Sequence, residues 1–309
     1  MNSPKWLPPP RLAPGARVAL IAPAGPVTEG RIRRAHARLR RWGLDGVEGS
    51  AIRRRAGYLA GSDEERGRDL EWALAAPELD AVWALRGGYG TMRLWSRADF
   101  AALRRRPRAL IGFSDNTSLH LAAARQRVFS FHGPHAGAQR LSAMATACFR
   151  AVLFDAAPAG ALPPARSGAE PAGLVGGAAE GRLAGGNLSL LAAAVGTPWA
   201  AAFRGAIVAL EEVDEPVYRI DRMLEQLIVS GSLKGARGLA LGRFTNATGG
   251  GRGRTLATLL EEFARRLEVP ALGGLPFGHV DDTWTLPLGA RARLDADRGR
   301  LEILEAAVR

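Results

Sequence analysis

The sequence predicts an α/β fold, in which a parallel sheet is covered by helices on both faces. The first observation is that short apolar segments recur through the first half of the chain, at residues 17–23, 79–85, 108–113 and 128–131. The second is that stretches with helical spacing separate these segments, which is the alternation of a parallel sheet. Ligands of such sheets lie beyond the carboxyl ends of the strands. The residues that follow each apolar segment are therefore the first candidates for a functional site.

The helices of the first half have recognisable beginnings. Residues 28–42 predict an arginine-rich amphipathic helix, and Ser62-Asp63-Glu64-Glu65 is a capping box that predicts the start of a second one. The strand at 79–85 runs directly into the glycine-rich loop Arg86-Gly87-Gly88-Tyr89-Gly90. This loop lacks the Lys-Ser/Thr of a phosphate-binding P-loop, so we expect it to border the site without binding a nucleotide phosphate.

The second half is predicted to form a separate unit. Residues 156–178 are dominated by Ala, Pro and Gly, which predicts a linker or crossing segment. We therefore expect an N-terminal α/β domain at 1–145, a linker at 146–178 and a C-terminal domain at 179–309. The elements predicted in the C-terminal domain are helices at 188–195, 217–229 and 256–267, strands at 206–210 and 238–242, and antiparallel strands across 283–303.

A strand, a sharp turn and a helix start meet at Ser114. Residues 109–112 continue a buried strand, Asp115, Asn116 and Thr117 are residue types that begin helices, and an Ala- and Leu-rich helix follows. The Ser114 hydroxyl would lie at the sheet edge beside free backbone N–H groups, which can stabilise an oxyanion. The segment lacks the final Gly of the G-x-S-x-G nucleophile elbow. Ser114 is thus either a nucleophile or an N-cap of the helix.

A serine nucleophile needs a base, and the chain has five histidines. His36 lies among arginines on a helix, and His120 lies within the helix behind Ser114, where packing is expected. His132 and His135 follow a strand at the same sheet edge as Ser114. His279 follows a loop of Gly, Pro and Phe that would expose its side chain. Residue chemistry alone leaves His279 and the His132/His135 pair as equal candidates.

The base needs a carboxylate that orients it, and the candidates lie in two places. Glu211 and Glu212 end a buried strand, where a charge is costly unless it is paired. Glu211 could orient a histidine, or both glutamates could pair with Arg219 or Arg222. The adjacent residues 281–282, both Asp, compete for His279, although neighbours in a loop seldom face one another.

Composition limits the classes of function. The chain has 309 residues, is 47% hydrophobic, carries a formal net charge of +12, and contains no apolar run long enough for a membrane span. Its arginines are scattered among predicted helices and match no nucleic-acid-binding motif, so we expect an acidic substrate to be attracted and no nucleic acid or membrane partner. Cys148 is the single cysteine. It predicts a buried thiol and a reducing cytoplasmic setting, and the histidines lack metal-ligand spacing, so neither metal nor cofactor is expected.

A series of short blocks resembles the LD-carboxypeptidases of peptidase family S66. The blocks occur in family order and span residues 18–294, so that together they are specific although each alone is weak. They are GYLAGSDEER at 57–66, RGGYG at 86–90, IGFSD at 111–115, FHGP at 131–134, GGNLSLL at 185–191, LE at 210–211, YRIDRML at 218–224 and GLPFGH at 274–279.

The resemblance implies a Ser–Glu–His triad made of Ser114, Glu211 and His279. It places the oxyanion hole at the backbone N–H groups of Gly88 and Asp115. It also implies an N-terminal flavodoxin-like domain that carries the serine, a C-terminal mixed β/α domain that carries the other two residues, an active site in the cleft between them, and a homodimer. The family pattern often has Glu-Asp where this chain has Glu211-Glu212, so which carboxylate faces the histidine is left open.

The resemblance further implies hydrolysis of an amide between an L and a D centre. The expected substrate is the cytoplasmic peptidoglycan tetrapeptide, from which terminal D-Ala is released during wall recycling. Such an enzyme must bind a free carboxylate, for which an arginine at the cleft is expected. Asn187 and Trp284 are candidate substrate contacts, with helix capping and core packing as the respective alternatives.

Two other functions remain open at this stage. Some relatives resemble the microcin C immunity peptidase, which cleaves an aminoacyl-nucleotide and would need an aromatic platform, such as Trp284 or Trp199. A third possibility is a basic binding protein that has lost catalytic activity. Retention of Ser114, Glu211 and His279 argues against that possibility.

Overall fold

The computed structural model describes residues 5–164, 171–251 and 253–309, which build two sheets with flanking helices. The helices are α1 Glu29–Arg41, α2 Asp63–Ala75, α3 Ala101–Arg105, α4 Thr117–Arg125, α5 Ala143–Leu153, α6 Leu188–Ala194, α7 Val217–Val229 and α8 Leu256–Leu267. The strands are β1 Arg17–Ile21, β2 Asp45–Glu48, β3 Ala81–Ala84, β4 Ala109–Gly112, β5 Ser130–His132, β6 Pro158–Ala161, β7 Ala172–Val175, β8 Ala178–Asn187, β9 Ala206–Val213, β10 Gly238–Thr245, β11 Ala271–Gly273, β12 Leu286–Leu288, β13 Arg291–Asp295 and β14 Arg300–Ala306.

The first sheet has the strand order β12-β5-β4-β3-β1-β2, and its first five strands in the chain run parallel. The order 5-4-3-1-2 is that of flavodoxin-like folds, so the predicted class is confirmed. Strand β12 pairs antiparallel with β5, with Leu286 opposite His132. The sequence predicts strands in this region but not that one of them returns to the N-terminal sheet.

The parallel strands of the first sheet are buried on both faces. Trp83 and Ile111 pack toward α1 and α5, whereas their neighbours Val82 and Leu110 pack toward α2 and α4. Successive side chains of a strand point to opposite faces, so a strand between two helix layers is apolar throughout. This is why the segments stood out in the sequence as continuous apolar runs. The Ser62 capping box at the start of α2 is present as predicted.

The second sheet has the order β6-β14-β13-β8-β9-β10-β11-β7, with β8 to β11 parallel and the outer strands antiparallel. The predicted linker at 146–178 contains most of α5 and strands β6 and β7, which pair with this sheet; its residues 165–170 lie outside the described part. The domain boundary therefore stays a prediction. Among the described residues, no helix combines the length and apolarity that crossing a bilayer requires.

Two adjacent glycines at the end of β8 lie where a side chain would not fit. Gly185 has φ +136°, and a Cβ there would lie 1.9 Å from the carbonyl oxygen of Ala209. Gly186 has φ +143°, and its Cβ would lie 2.6 Å from Oγ1 of Thr117. The next amide, that of Asn187, donates to the same Thr117 oxygen at 2.9 Å. The end of β8 therefore touches the beginning of α4, the helix that follows Ser114.

We expect Gly185→Ala to lower the free energy of unfolding by about 3 kcal/mol or more, because the methyl group meets backbone in a conformation that L residues avoid. Gly196→Ala is the matched control. Gly196 also has positive φ, +82°, but a Cβ there meets nothing within 4 Å. Its cost is then about 1–2 kcal/mol, from the backbone conformation alone. Urea unfolding followed by tryptophan fluorescence measures both, and equal losses would contradict the close contact at Gly185.

Candidate active site

Ser114 occupies a strained turn between strand and helix. It begins a short 3₁₀ turn, Ser114–Asn116, between β4 and α4, and its φ is +60°. A non-glycine residue in this region is uncommon and costs conformational energy. The N-cap of α4 is Asn116, and Ser114 makes no capping hydrogen bond. The capping alternative is therefore wrong, and the turn has the geometry of a nucleophile elbow without its final glycine.

The glycine-rich loop lies directly against Ser114. A Cβ on Gly87 would be 3.1 Å from Cβ and 3.2 Å from Oγ of Ser114, so a side chain at residue 87 would push these atoms apart by a few tenths of an ångström. The Asp115 carboxylate accepts the Thr91 amide at 2.9 Å and so ties the turn to the far end of the loop. Among the described residues, no acceptor takes the backbone N–H of Gly88 or Asp115. Their role as an oxyanion hole stays a prediction.

His279 is bound to Glu211 from the second domain. Its Nδ1 lies 2.8 Å from Oε2 of Glu211, whose side chain is fully buried at the end of β9. Gly278, with φ +104°, permits the contact, since a Cβ there would lie 2.8 Å from the same oxygen. Burial raises the pKa of Glu211, while the bond from His279 favours the carboxylate and acts in the opposite direction. Their geometry is that of a base and the carboxylate that orients it.

Glu212 points away from His279 and has its own partners. Its Oε1 accepts from the Asn187 amide side chain at 2.9 Å, and its Oε2 accepts from the backbone and the hydroxyl of Ser189, both at 2.7 Å. The question of which adjacent glutamate faces His279 is thereby answered in favour of Glu211. The alternation of a strand requires it, because neighbouring side chains point to opposite faces.

The competing histidines are buried. His120 bonds to the Gly112 carbonyl and to Ser130, and burial lowers its pKa to about 4. Nε2 of His135 lies 3.0 Å from the Asn116 amide, and burial lowers the pKa of His135 to about 3. Burial also lowers the pKa of His132 well below its ordinary value. These rings are neutral near pH 7 and touch no carboxylate among the described residues, so the geometry favours His279 as the base.

A cavity of about 990 Å³ lies between the two domains beside His279. Phe113, the residue before Ser114, forms part of its wall, and its ring centroid is 4.8 Å from that of His279. The Ser114 hydroxyl makes no hydrogen bond with a described residue, so its bond to His279 is not formed in this structure. Such bonds often tighten only once substrate binds. The cavity therefore lies where the predicted cleft was expected.

Neither of the two predicted substrate contacts lines this cavity. Trp284 is 2% exposed, and its Nε1 donates to the Pro163 carbonyl at 2.7 Å, so it is a core residue and its expected contact with substrate is not met. Asn187 caps α6 and donates to Glu212, and its contact with substrate stays a prediction. Sequence reasoning missed Arg31, which lines the cavity. It lies in an arginine-rich helix whose pattern did not distinguish one arginine from another.

We expect acid to destabilise the fold through the buried histidines. Their folded pKa values lie below the value of about 6.5 for the unfolded chain, so the unfolded state takes up protons first and stability is lost as pH falls below that value. From pH 6.5 to 5.5 each such histidine should cost about 1 kcal/mol. The raised pKa of Glu211 acts in the opposite direction.

Urea titrations at pH 7.5, 6.5 and 5.5 measure how the free energy of unfolding changes with pH. His120→Gln should reduce this change by the contribution of one buried histidine. Carboxylates with a lowered pKa, such as Glu48 and Asp63, titrate below this pH range, so they do not contribute to the change in stability measured within it. A stability that does not change between pH 6.5 and 5.5 would contradict the burial of neutral histidines.

Known proteins resemble this chain along almost its whole length. Residues 18–133 match the family model of the LD-carboxypeptidase N-terminal domain, and residues 180–294 match that of the C-terminal domain. A murein tetrapeptide carboxypeptidase of Pseudomonas aeruginosa is 37% identical over 92% of this chain and 94% of its own length. A muramoyltetrapeptide carboxypeptidase structure from Oxalobacter formigenes is 33% identical and covers 93% of this chain and 98% of that one, with a TM-score of 0.81. A structure of MccF in complex with glutamyl sulfamoyl guanosine covers 98% and 100% with a TM-score of 0.88, but at 23% identity it shows the fold alone. The chain belongs to the LD-carboxypeptidases of peptidase family S66 and is an enzyme of that class.

Proposed function

We propose that this enzyme releases terminal D-Ala from the peptidoglycan tetrapeptide through a triad of Ser114, His279 and Glu211. The observation that carries the proposal is the 2.8 Å contact between His279 and buried Glu211 beside the cavity, with the strained Ser114 turn next to Phe113 on the cavity wall. We also propose a cytoplasmic location, where wall peptides are recycled, and a homodimer, both of which follow the family resemblance.

The contact with Glu211 sets which nitrogen of His279 is free to act as base. Because Nδ1 faces the carboxylate, it carries the proton and donates to Oε2, which leaves Nε2 as the acceptor. Nε2 takes the Ser114 proton as the hydroxyl oxygen attacks the amide carbonyl. The imidazolium that forms is stabilised by Glu211, which keeps its negative charge. His279 then returns the proton to the departing amine of D-Ala, and water hydrolyses the acyl-enzyme by the same steps in reverse.

Developing charge on the carbonyl oxygen requires donors beside Ser114. The Gly88 and Asp115 amides fit this role, because the loop that contains Gly88 is in contact with Ser114 and Asp115 follows Ser114 in the same helical turn. Loss of one such donor costs roughly 10²–10³-fold in rate in enzymes of this kind. A preorganised backbone donor does not have to reorient during the reaction, so a loop fixed by glycine contacts suits it.

The relatives support a murein peptide over an aminoacyl-nucleotide. The P. aeruginosa relative and the O. formigenes structure, both above 30% identity, carry tetrapeptide carboxypeptidase names. An aminoacyl-nucleotide would need an aromatic platform, but Trp284 is buried and Trp199 stacks on Trp95 at 5.4 Å, away from this cavity. Cleavage of an aminoacyl-nucleotide is therefore the second candidate function, and no feature of the described cavity favours it.

We expect the native enzyme to release D-Ala from L-Ala-γ-D-Glu-diaminopimelate-D-Ala, detected by mass spectrometry. Ser114→Ala should lower kcat by about 10⁴-fold or more, because the acyl-enzyme can no longer form. An aspartyl sulfamoyl adenosine substrate is the parallel assay. Cleavage of that compound alone would replace the proposed substrate but keep the triad.

Glu211→Gln should lower kcat by about 10³–10⁴-fold, because Gln cannot stabilise the imidazolium or hold the required tautomer. Glu212→Gln is the matched control and should lower kcat by less than about 10-fold, with its main effect on stability through Ser189. Thermal melts of both variants separate folding from catalysis. Equal kinetic losses in folded proteins would contradict the assignment of Glu211.

A further inference from the structure

Arg31 is a cationic side chain on the cavity wall that has no hydrogen-bond or ion-pair partner among the described residues. It lies near the start of α1, is partly buried, and lines the cavity that contains His279. None of the described carboxylates or carbonyls accepts a hydrogen bond or forms an ion pair with its guanidinium group. Most partly buried arginines of this chain do find such partners, for example Arg38, which donates to the Ala138 carbonyl. Arg31 is thus available to a ligand.

Two more guanidinium groups reinforce the positive charge at this place. Arg86 lies close by and is held by the chain itself, since Nη1 donates to the Pro26 carbonyl at 3.0 Å and Nε to the Gly87 carbonyl at 3.1 Å. The Arg31 pKa is lowered by burial first, and then by the charges of Arg86 and Arg34, without an opposing acid. The cluster of Arg31, Arg34 and Arg86 therefore repels itself and would be stabilised by an anion.

The same side of the cavity leads to the proposed catalytic residues. Arg31 packs on Gly137, which follows His135 by two residues. A Cβ on Gly137 would lie 2.9 Å from the Cβ of Arg31. The ring centroid of His135 lies 4.4 Å from that of Phe113 in a tilted arrangement, and the Phe113 centroid lies 4.8 Å from that of His279. An anionic group at Arg31 would therefore belong to a ligand whose other atoms reach His279.

The other cavity arginines suit this task less well. Arg140 is exposed to solvent, where a single ion pair contributes little. Arg243 already has an interaction within the protein. The acidic residues of the cavity, Asp281 and Asp282, follow His279 on the other domain. The cavity is thus positive on the side of α1 and carries its negative charges on the loop after His279.

We propose that Arg31 binds the free C-terminal carboxylate of the peptide substrate and makes the enzyme a carboxypeptidase. The proposal rests on the function proposed above and names its specificity-determining residue. A guanidinium group can donate two parallel hydrogen bonds to a carboxylate, which a neutral amide cannot accept with the same strength. The backbone-bound Arg86 keeps the local potential positive and leaves Arg31 to make the contact.

The test compares two substrates and four proteins. The substrates are the tetrapeptide with a free C-terminal carboxylate and the same peptide ending in D-Ala amide. The proteins are the native enzyme, Arg31→Gln, Arg31→Lys and Arg33→Gln. Arg33 lies on the same helix but is exposed and does not line the cavity, so its replacement removes the same charge without the contact.

We expect the native enzyme to prefer the free acid, and Arg31→Gln to lower kcat/KM for the acid by roughly 10- to 100-fold, mainly through KM. Its kcat/KM for the amide should stay within about 3-fold of native, so that the preference is lost. Arg31→Lys should restore part of the preference, because the charge remains but the two-pronged contact does not. Arg33→Gln should resemble the native enzyme on both substrates.

Two results would overturn the inference and leave the proposed function intact. One is an equal loss on acid and amide in Arg31→Gln, which would indicate a structural role. The other is an unchanged preference in that variant. A native enzyme that hydrolyses neither peptide, although folded, would instead refute the proposed function, and the role of Arg31 with it.

Discussion

The contact between His279 and the buried carboxylate of Glu211 is the interaction on which the candidate site depends. Burying a carboxylate away from water costs folding free energy, and here a hydrogen bond from the imidazole of His279 stabilises the buried group. In return, the carboxylate fixes the orientation and tautomer of the ring. Both residues belong to the second sheet and the loop beyond it, whereas Ser114 belongs to the first. The site is therefore assembled only when the two sheets are held together correctly.

Glycines, which have no side chain, allow many of the close contacts that hold the two sheets and the site loops together. Gly186 lets the end of β8 touch Thr117, Gly278 lets the histidine loop lie on Glu211, and Gly87 lets the glycine-rich loop reach Ser114. A Cβ at Gly186 or Gly278 would lie closer than 3.0 Å to the neighbouring residue, and one at Gly87 would force Ser114 to shift slightly. Strand β12 adds a further connection, since it leaves the second half of the chain to pair with β5 at His132. Close contacts at glycines therefore help to hold together the residues around the cleft.

The arrangement of charges in the cavity is more selective than the net charge of the molecule. The net charge of +12 attracts acidic substrates in general but selects none of them. In the cavity, one helix brings Arg31 beside Arg86, while the loop after His279 brings two aspartates. A substrate that is anionic at the end to be removed fits this polarity. Burial acts on the histidines in the opposite sense, keeping three of them neutral so that they pack beside the site without competing as bases.

The sequence by itself determined the elements and their order. Apolar runs such as 79–85 had to become buried strands, the Ser62 capping box had to begin a helix, and the family blocks identified the enzyme class. These features are local, because they depend on propensity, periodicity and residues a few positions apart. The tertiary structure decided what depends on long-range packing. It showed that Ser114 is strained and does not cap, that Glu211 and not Glu212 meets His279, that Trp284 is a core residue, that β12 joins the first sheet, and that Arg31 among many arginines lines the cavity. Neighbouring residues on one strand or one helix have nearly the same local signal, and only the element packed against them determines which one faces the site.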